Sequence, residues 1–281
     1  MSTWLHWATL ALYLAGTGIY LSFLLWQKPR LADLGKVVLW LGFSLHTLGL
    51  GAAWLDLGAF PALNLRQALD VFAWAVMGGG LLINLRTQVL ILGAFTAPLA
   101  AIMLSAASVM PQMAGPTSPL MKSLWVVSHV LTMLAGYGLY TLNFLGSVLY
   151  LVQDGMIRKK HLGPAFRRLP SLSRLDNLNA ATLMGGFILF TLGMTFGVVY
   201  GHLALGTYWQ WDPKEAWTLA TWFLYAALTH TRLVQGWRGR RGAWFAVLAY
   251  GVLLFTFLGG GLLFSSYHSF EGLQQLKGVP R

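Results

Sequence analysis

Residues 68 to 108 read ALDVFAWAVMGGGLLINLRTQVLILGAFTAPLAAIMLSAAS, with Asp70 and Arg86 the only charged side chains among them. At 1.5 Å per residue, one helix over this run would be about 60 Å long, twice the thickness of a bilayer's hydrocarbon core. The run is therefore read as two spanning helices, 68 to 85 and 88 to 108, broken at Arg86. Working outward, six more segments reach spanning length, near 5 to 26, 37 to 55, 123 to 152, 179 to 201, 217 to 234 and 243 to 264. The expected fold is all-α, a polytopic membrane protein of about eight transmembrane helices in a single domain over residues 1 to 281.

Composition supports the same class. Of the 281 residues 57% are hydrophobic and 10% charged, too few to solvate the surface of a soluble domain. The net charge of +11 would suggest nucleic acid in a soluble chain; here the placement of Lys and Arg reports orientation, and no nucleic-acid partner is expected. With the amino terminus outside, the inner loops and helix ends hold Lys28, Arg30, Lys36, Arg86, Arg158, Lys159, Lys160, Arg167, Arg168, Arg174, Arg232, Arg238, Arg240 and Arg241. The outer side keeps only Arg66, Lys122, Lys214, Lys277 and Arg281, which places both termini outside. The basic stretch from 154 to 178 is read as an inner loop against anionic membrane lipid. Cysteine is absent, so disulfides, thiolate metal sites and thiol nucleophiles are excluded. No cleavable signal is expected, since nothing before the first apolar run carries Lys or Arg.

The outer loop at about 202 to 217 carries the densest chemistry. From Gly206 to Arg232 the chain reads GTYWQWDPKEAWTLATWFLYAALTHTR, placing Tyr208, Trp209, Trp211, Asp212, Lys214, Glu215 and Trp217 at a membrane surface. An interfacial aromatic belt needs only scattered Trp and Tyr; Trp-x-Trp-Asp with a charged pair behind it points to a ligand. Asp212 and Glu215 stand where they either pair with Lys214 or cap the helix that Pro213 begins.

Histidines sort by this topology. His129, about two turns into the fifth helix, and His268, after the eighth, fall on the side of the Trp-rich loop. Two neutral imidazoles across a flat aromatic pocket would make a bis-histidine haem site, with indoles on the porphyrin faces and an indole N–H, a tyrosine hydroxyl or Lys214 for the propionates. His46 and His230 fall in the inner half of the membrane at similar depth, where one haem between them is feasible. His6, flanked by Trp4 and Trp7, reads as an interfacial anchor and His161 as solvated; His202 adjoins the loop.

These residues resemble the cytochrome c assembly family that shares a tryptophan-rich "WWD" loop, and within it the CcsA/ResC-type subunits of the System II cytochrome c synthase. The resemblance rests on YWQWDPKEAW from Tyr208 to Trp217, LTHTR ending at Arg232, SHV around His129 and SYHSF around His268. Weaker similarity covers LHTLGL around His46 and PALNLRQAL from Pro61 to Leu69. There the family pattern P-x-x-N-L-Y-E-S-L is met by Arg66 for Tyr and Gln67 for Glu, and Leu205 stands where relatives begin the loop with Trp-Gly. The resemblance implies a multi-pass protein of the bacterial inner (cytoplasmic) membrane whose loop faces the periplasm. It implies passage of haem b, bound as substrate, to an outer site for thioether attachment to the CxxCH motif of an apocytochrome c, alongside a CcsB/ResB-like membrane subunit. His129 and His268 would be the outer iron ligands and His230 an inner one, the second inner ligand coming from His46 or the partner. Two other expectations compete: CcmC-like haem delivery to a chaperone without attachment, and transport of a different amphiphile without haem.

Overall fold

The computed structural model describes residues 3–87, 89–111 and 122–259. The described chain is all-helical: α1 (Thr3–Trp26), α2 (Pro29–Leu57), α3 (Leu65–Thr87), α4 (Gly93–Val109), α5 (Leu124–Arg158), a short α6 (Pro164–Arg168), α7 (Leu172–Leu205), α8 (Pro213–Leu233) and α9 (Arg240–Leu254), which continues into a π-helical turn, Phe255–Gly259. The break at Arg86 is real. Helix α3 stops at Thr87, and a 3₁₀ turn over Leu90–Leu92 leads into α4.

Seven helices among the described residues are long and apolar enough to cross a membrane: α1 to α5, α7, and α9 with its π turn. Together they make the chain a multi-pass membrane protein. Helix α8, expected as a further span, is 21 residues long but more polar than those seven. Its polar residues are spent on neighbours. Thr221 Oγ1 lies 2.8 Å from Thr256 Oγ1, and the Trp222 indole donates to Thr191 Oγ1 at 2.9 Å. At its far end Arg232 forks onto both carboxylate oxygens of Asp176 at 3.1 and 2.8 Å, while the Gly239 amide also donates to that carboxylate. A fixed guanidinium fork suits such a site, and it locks the end of α8 and the start of α9 onto α7.

Helix ends follow their residues. Pro29 starts α2, Ser123 caps α5 by accepting from the Trp125 amide, and Ser171 caps α7. Gly58 and Gly206 end α2 and α7 in left-handed conformations, φ 61° and 74°. Lipid supplies no hydrophobic drive between helices, so close backbone approach has to bring them together. The longest helix, α5, packs most extensively on α7 and also meets α3 and α9. At Gly136 an added Cβ would come within 3.1 Å of the Phe190 backbone, and at Gly138 within 3.0 Å of the Ala75 backbone, so α5 seats directly on α7 and α3.

Two core clusters result. One gathers α1 to α4 with parts of α5 and α7 around Tyr13, Tyr20, Met77 and Leu104; the other gathers α3, α5, α7, α8 and α9 around Phe72, Tyr140, Phe190 and Tyr225. The second cluster leads to the 206 to 212 loop.

Candidate functional site

The loop is braced by the start of α8. Asp212 is its N-cap and accepts from the Lys214 amide at 2.7 Å, while the Glu215 carboxylate reaches back to the amides of Gln210 (2.9 Å) and Asp212 (3.4 Å). This is a reciprocal capping box entered through Pro213, so both acids hold the loop's shape. To reach the cap the chain turns at Trp211, whose φ is 57°, and the indole is thrown outward, 76% exposed. Trp209 meets it edge to face, centroids 6.0 Å apart, and turns the other way.

Trp209 turns into a cavity of about 230 Å³ at the helix ends. Its walls come from α5 (His129, Met133, Tyr137), α7 (Met194, Gly197, Tyr200), the loop (Tyr208, Trp209), the first turn of α8 (Lys214, Glu215) and the segment before α3 (Phe60, Leu63). The Trp209 Nε1 is buried and has no hydrogen-bond partner among the described residues. Lys214 precedes the apolar part of α8; burial lowers its ammonium pKa, and the neighbouring Asp212 carboxylate acts in the opposite direction. Tyr208 is stacked on His202 at 4.0 Å, which gives His202 the role of a ring support.

His129 is the best-placed candidate ligand. Its Nδ1 lies 2.7 Å from the Gly193 carbonyl, and since a carbonyl only accepts, Nδ1 carries a proton and donates it there. A metal-ligating histidine is typically oriented by such a bond from its other nitrogen. The ring rests on Gly197, where a Cβ would stand 2.6 Å from Nδ1. Flat aromatic walls, an orphaned indole N–H, a lysine and an oriented imidazole are a donor set that fits a flat, carboxylate-bearing, iron-containing ligand.

The other predicted residues are dispersed. His268 lies outside the described residues. Trp217 packs against Phe255, centroids 4.7 Å apart, and neither it nor Trp211 lines the cavity. His46 and His230 are not brought together. His46 is fully buried on α2, with Nδ1 3.1 Å from the Tyr13 hydroxyl and Nε2 3.1 Å from Asp70 Oδ1, whereas His230 is exposed on α8. His6 is no interfacial anchor: it is buried, and its Nε2 is 2.6 Å from Ser108 Oγ, joining α1 to α4. His161 is exposed, as expected.

Residues that sequence reasoning passed over include Tyr137, Tyr200 and the pair Gly193 and Gly197. The glycines carried a signal, a small-xxx-small spacing on α7 that marks close helix approach. The Pro61 to Leu69 stretch also acquires a function: it walls the cavity, and its departures from the family pattern are structural. Asn64 Oδ1 accepts from the Gln67 amide (2.9 Å), Gln67 Oε1 accepts from the Leu63 amide (2.8 Å), and Arg66 donates to the Met110 carbonyl (2.8 Å).

The chain is similar to known proteins over most of its length. A family model described as "Cytochrome C assembly protein" matches residues 62–268. The chain is 34% identical over 246 residues to a cytochrome c biogenesis protein CcsA of Guillardia theta, covering 81% of this chain and 82% of that one. It is 33% identical over 266 residues to the CcsA of Synechococcus elongatus (79% and 82% covered), and 31% identical over 295 residues to that of Mesostigma viride (96% and 97%).

Proposed function

The chain belongs to the cytochrome c assembly protein family, and we propose that it serves cytochrome c biogenesis by binding haem b in the cavity beside Trp209 and presenting it to apocytochrome c. The observation that carries this reading is His129: an imidazole on the cavity wall, oriented by the bond from its Nδ1–H to the Gly193 carbonyl.

The cavity residues divide the work. His129 and His268 are assigned to the iron, with Tyr208 and Trp209 against the porphyrin face. The Trp209 N–H and Lys214 are donors for the carboxylates. Asp212 and Glu215 keep the loop in register. Haem supplies the vinyl carbons to which the two cysteine thiols of the apocytochrome add; the chain itself, without cysteine, supplies position. His230, exposed on α8, is assigned as an inner ligand whose companion comes from a CcsB/ResB-like membrane subunit. An imidazole set toward the lipid-facing surface is polar where hydrocarbon would leave it unpaired, and a partner helix removes that cost. The loop end is taken to face the periplasm of a bacterial inner membrane, following the bias of Lys and Arg to the other end.

The test is the absorption spectrum of the protein purified with its partner, together with thioether formation on an added apocytochrome. A low-spin bis-histidine spectrum and covalent product support the synthase reading. Haem binding without product points to delivery alone, and absence of haem points to a different amphiphile.

A further inference from the structure

We propose that His46 is a positioning residue for the cavity wall built by residues 60 to 69, acting through Asp70 and not through iron. The inference rests on the haem reading for its effect on activity, but not for its geometry.

Asp70, as a carboxylate, only accepts, so His46 Nε2 carries the proton and donates to Oδ1; Nδ1 is then the acceptor for the Tyr13 hydroxyl. Both nitrogens are engaged, and the ring has no solvent exposure. Tyr13 belongs to α1, His46 to α2 and Asp70 to α3, so one imidazole joins three helices through a chain of hydrogen bonds in surroundings where each bond is expensive to lose. Asp70 stands one turn beyond the capped entry to α3. That entry is the stretch in which Asn64 accepts from the Gln67 amide, Gln67 accepts from the Leu63 amide and Arg66 reaches the Met110 carbonyl. From it Phe60, Leu63 and Ala68 face the cavity that His129 also lines. The wall is thus tethered at one side to the end of α4 and at the other, through Asp70 and His46, to α1 and α2. Releasing the second tether frees the wall without removing any ligand.

The experiment uses the full chain with its partner subunit and compares His46→Ala, His46→Gln and Asp70→Ala. Hydrogen exchange at the amides of residues 62 to 69 reads the wall directly and needs no haem. Loss of a charge-assisted hydrogen bond is expected to speed this exchange about tenfold or more in His46→Ala and Asp70→Ala. His46→Gln, whose amide can still donate to Asp70, is expected to restore most of the protection. Bound haem is expected to fall in the two Ala variants, with the remainder keeping a low-spin spectrum that imidazole does not change. Unaltered exchange, or a His46→Gln variant as haem-poor as His46→Ala whose spectrum added imidazole restores, would overturn the proposal and return His46 to the iron. Should His46→Ala fail to reach the membrane, the contrast between His46→Gln and Asp70→Ala decides. If the wild type binds no haem while the exchange result holds, the haem reading fails and the positioning role stands.

Discussion

His46 and His129 are both helix-borne histidines in an apolar bundle, and their partners make them different chemical objects. His129 donates from Nδ1 to the Gly193 carbonyl and stands on the wall of a cavity. His46 sits between a hydroxyl that donates and a carboxylate that accepts, so both ring nitrogens are used by the protein itself. Residue type alone does not separate the two; one imidazole lines a cavity and the other ties helices together.

The largest effect is expected at His129. His129→Ala is expected to empty the cavity of haem, a loss on the order of a hundredfold in affinity or more, while the protein still inserts. Haem content per protein, against membrane abundance, measures it. Next in size is Trp209→Ala. A packed indole truncated to alanine costs about 3 to 5 kcal/mol, so haem should dissociate far more readily. The neighbouring Trp211 is 76% exposed, and Trp211→Ala should change retention by less than about 0.5 kcal/mol. Equal effects from the two tryptophans would mean that the loop rearranges around its ligand.

A smaller effect sharpens the geometry. In Gly197→Ala the new methyl carbon meets the His129 ring, and relief of such overpacking costs about 1 to 3 kcal/mol. The imidazole should tilt, broadening the haem spectrum and lowering affinity without abolishing binding. Smallest among the damaging changes is Asp212→Ala, which removes the α8 cap at about 1 kcal/mol; a slightly lower melting temperature with haem still bound is the expected result. Asp212→Asn, which keeps an accepting oxygen, should recover most of the difference.

Much of the fold was legible because lipid makes hydropathy a strong signal: among the described residues, the break at Arg86 and the long helices stand where the apolar runs placed them. Their ends were less legible. Helix α2 begins at Pro29 and α5 runs to Arg158, turns of polar helix beyond the apolar core that carry no hydropathy signal. Within the site, the cap formed by Asp212 and Glu215 followed from Pro213 and acidic residues at a helix start, one of the two readings open from sequence. Which tryptophan faces the cavity did not follow, because the left-handed turn at Trp211 decides it and Trp carries no preference for that conformation. The pairing of His46 with His230 rested on similar depth and on a weak resemblance around His46. Depth places two residues at one height in the membrane without placing them on facing helices, and Tyr13 and Asp70 reach His46 from two other helices.

The central claim, that the oriented imidazole of His129 holds haem, is tested most directly by one spectrum taken twice. His129→Gly is purified with its partner subunit, and its Soret region is recorded before and after imidazole is added during expression. The account predicts little haem before and a low-spin haem band after, since free imidazole can occupy the space beside Gly197 and Gly193. A variant that carries the wild-type amount of haem with an unchanged spectrum, and ignores imidazole, would contradict it.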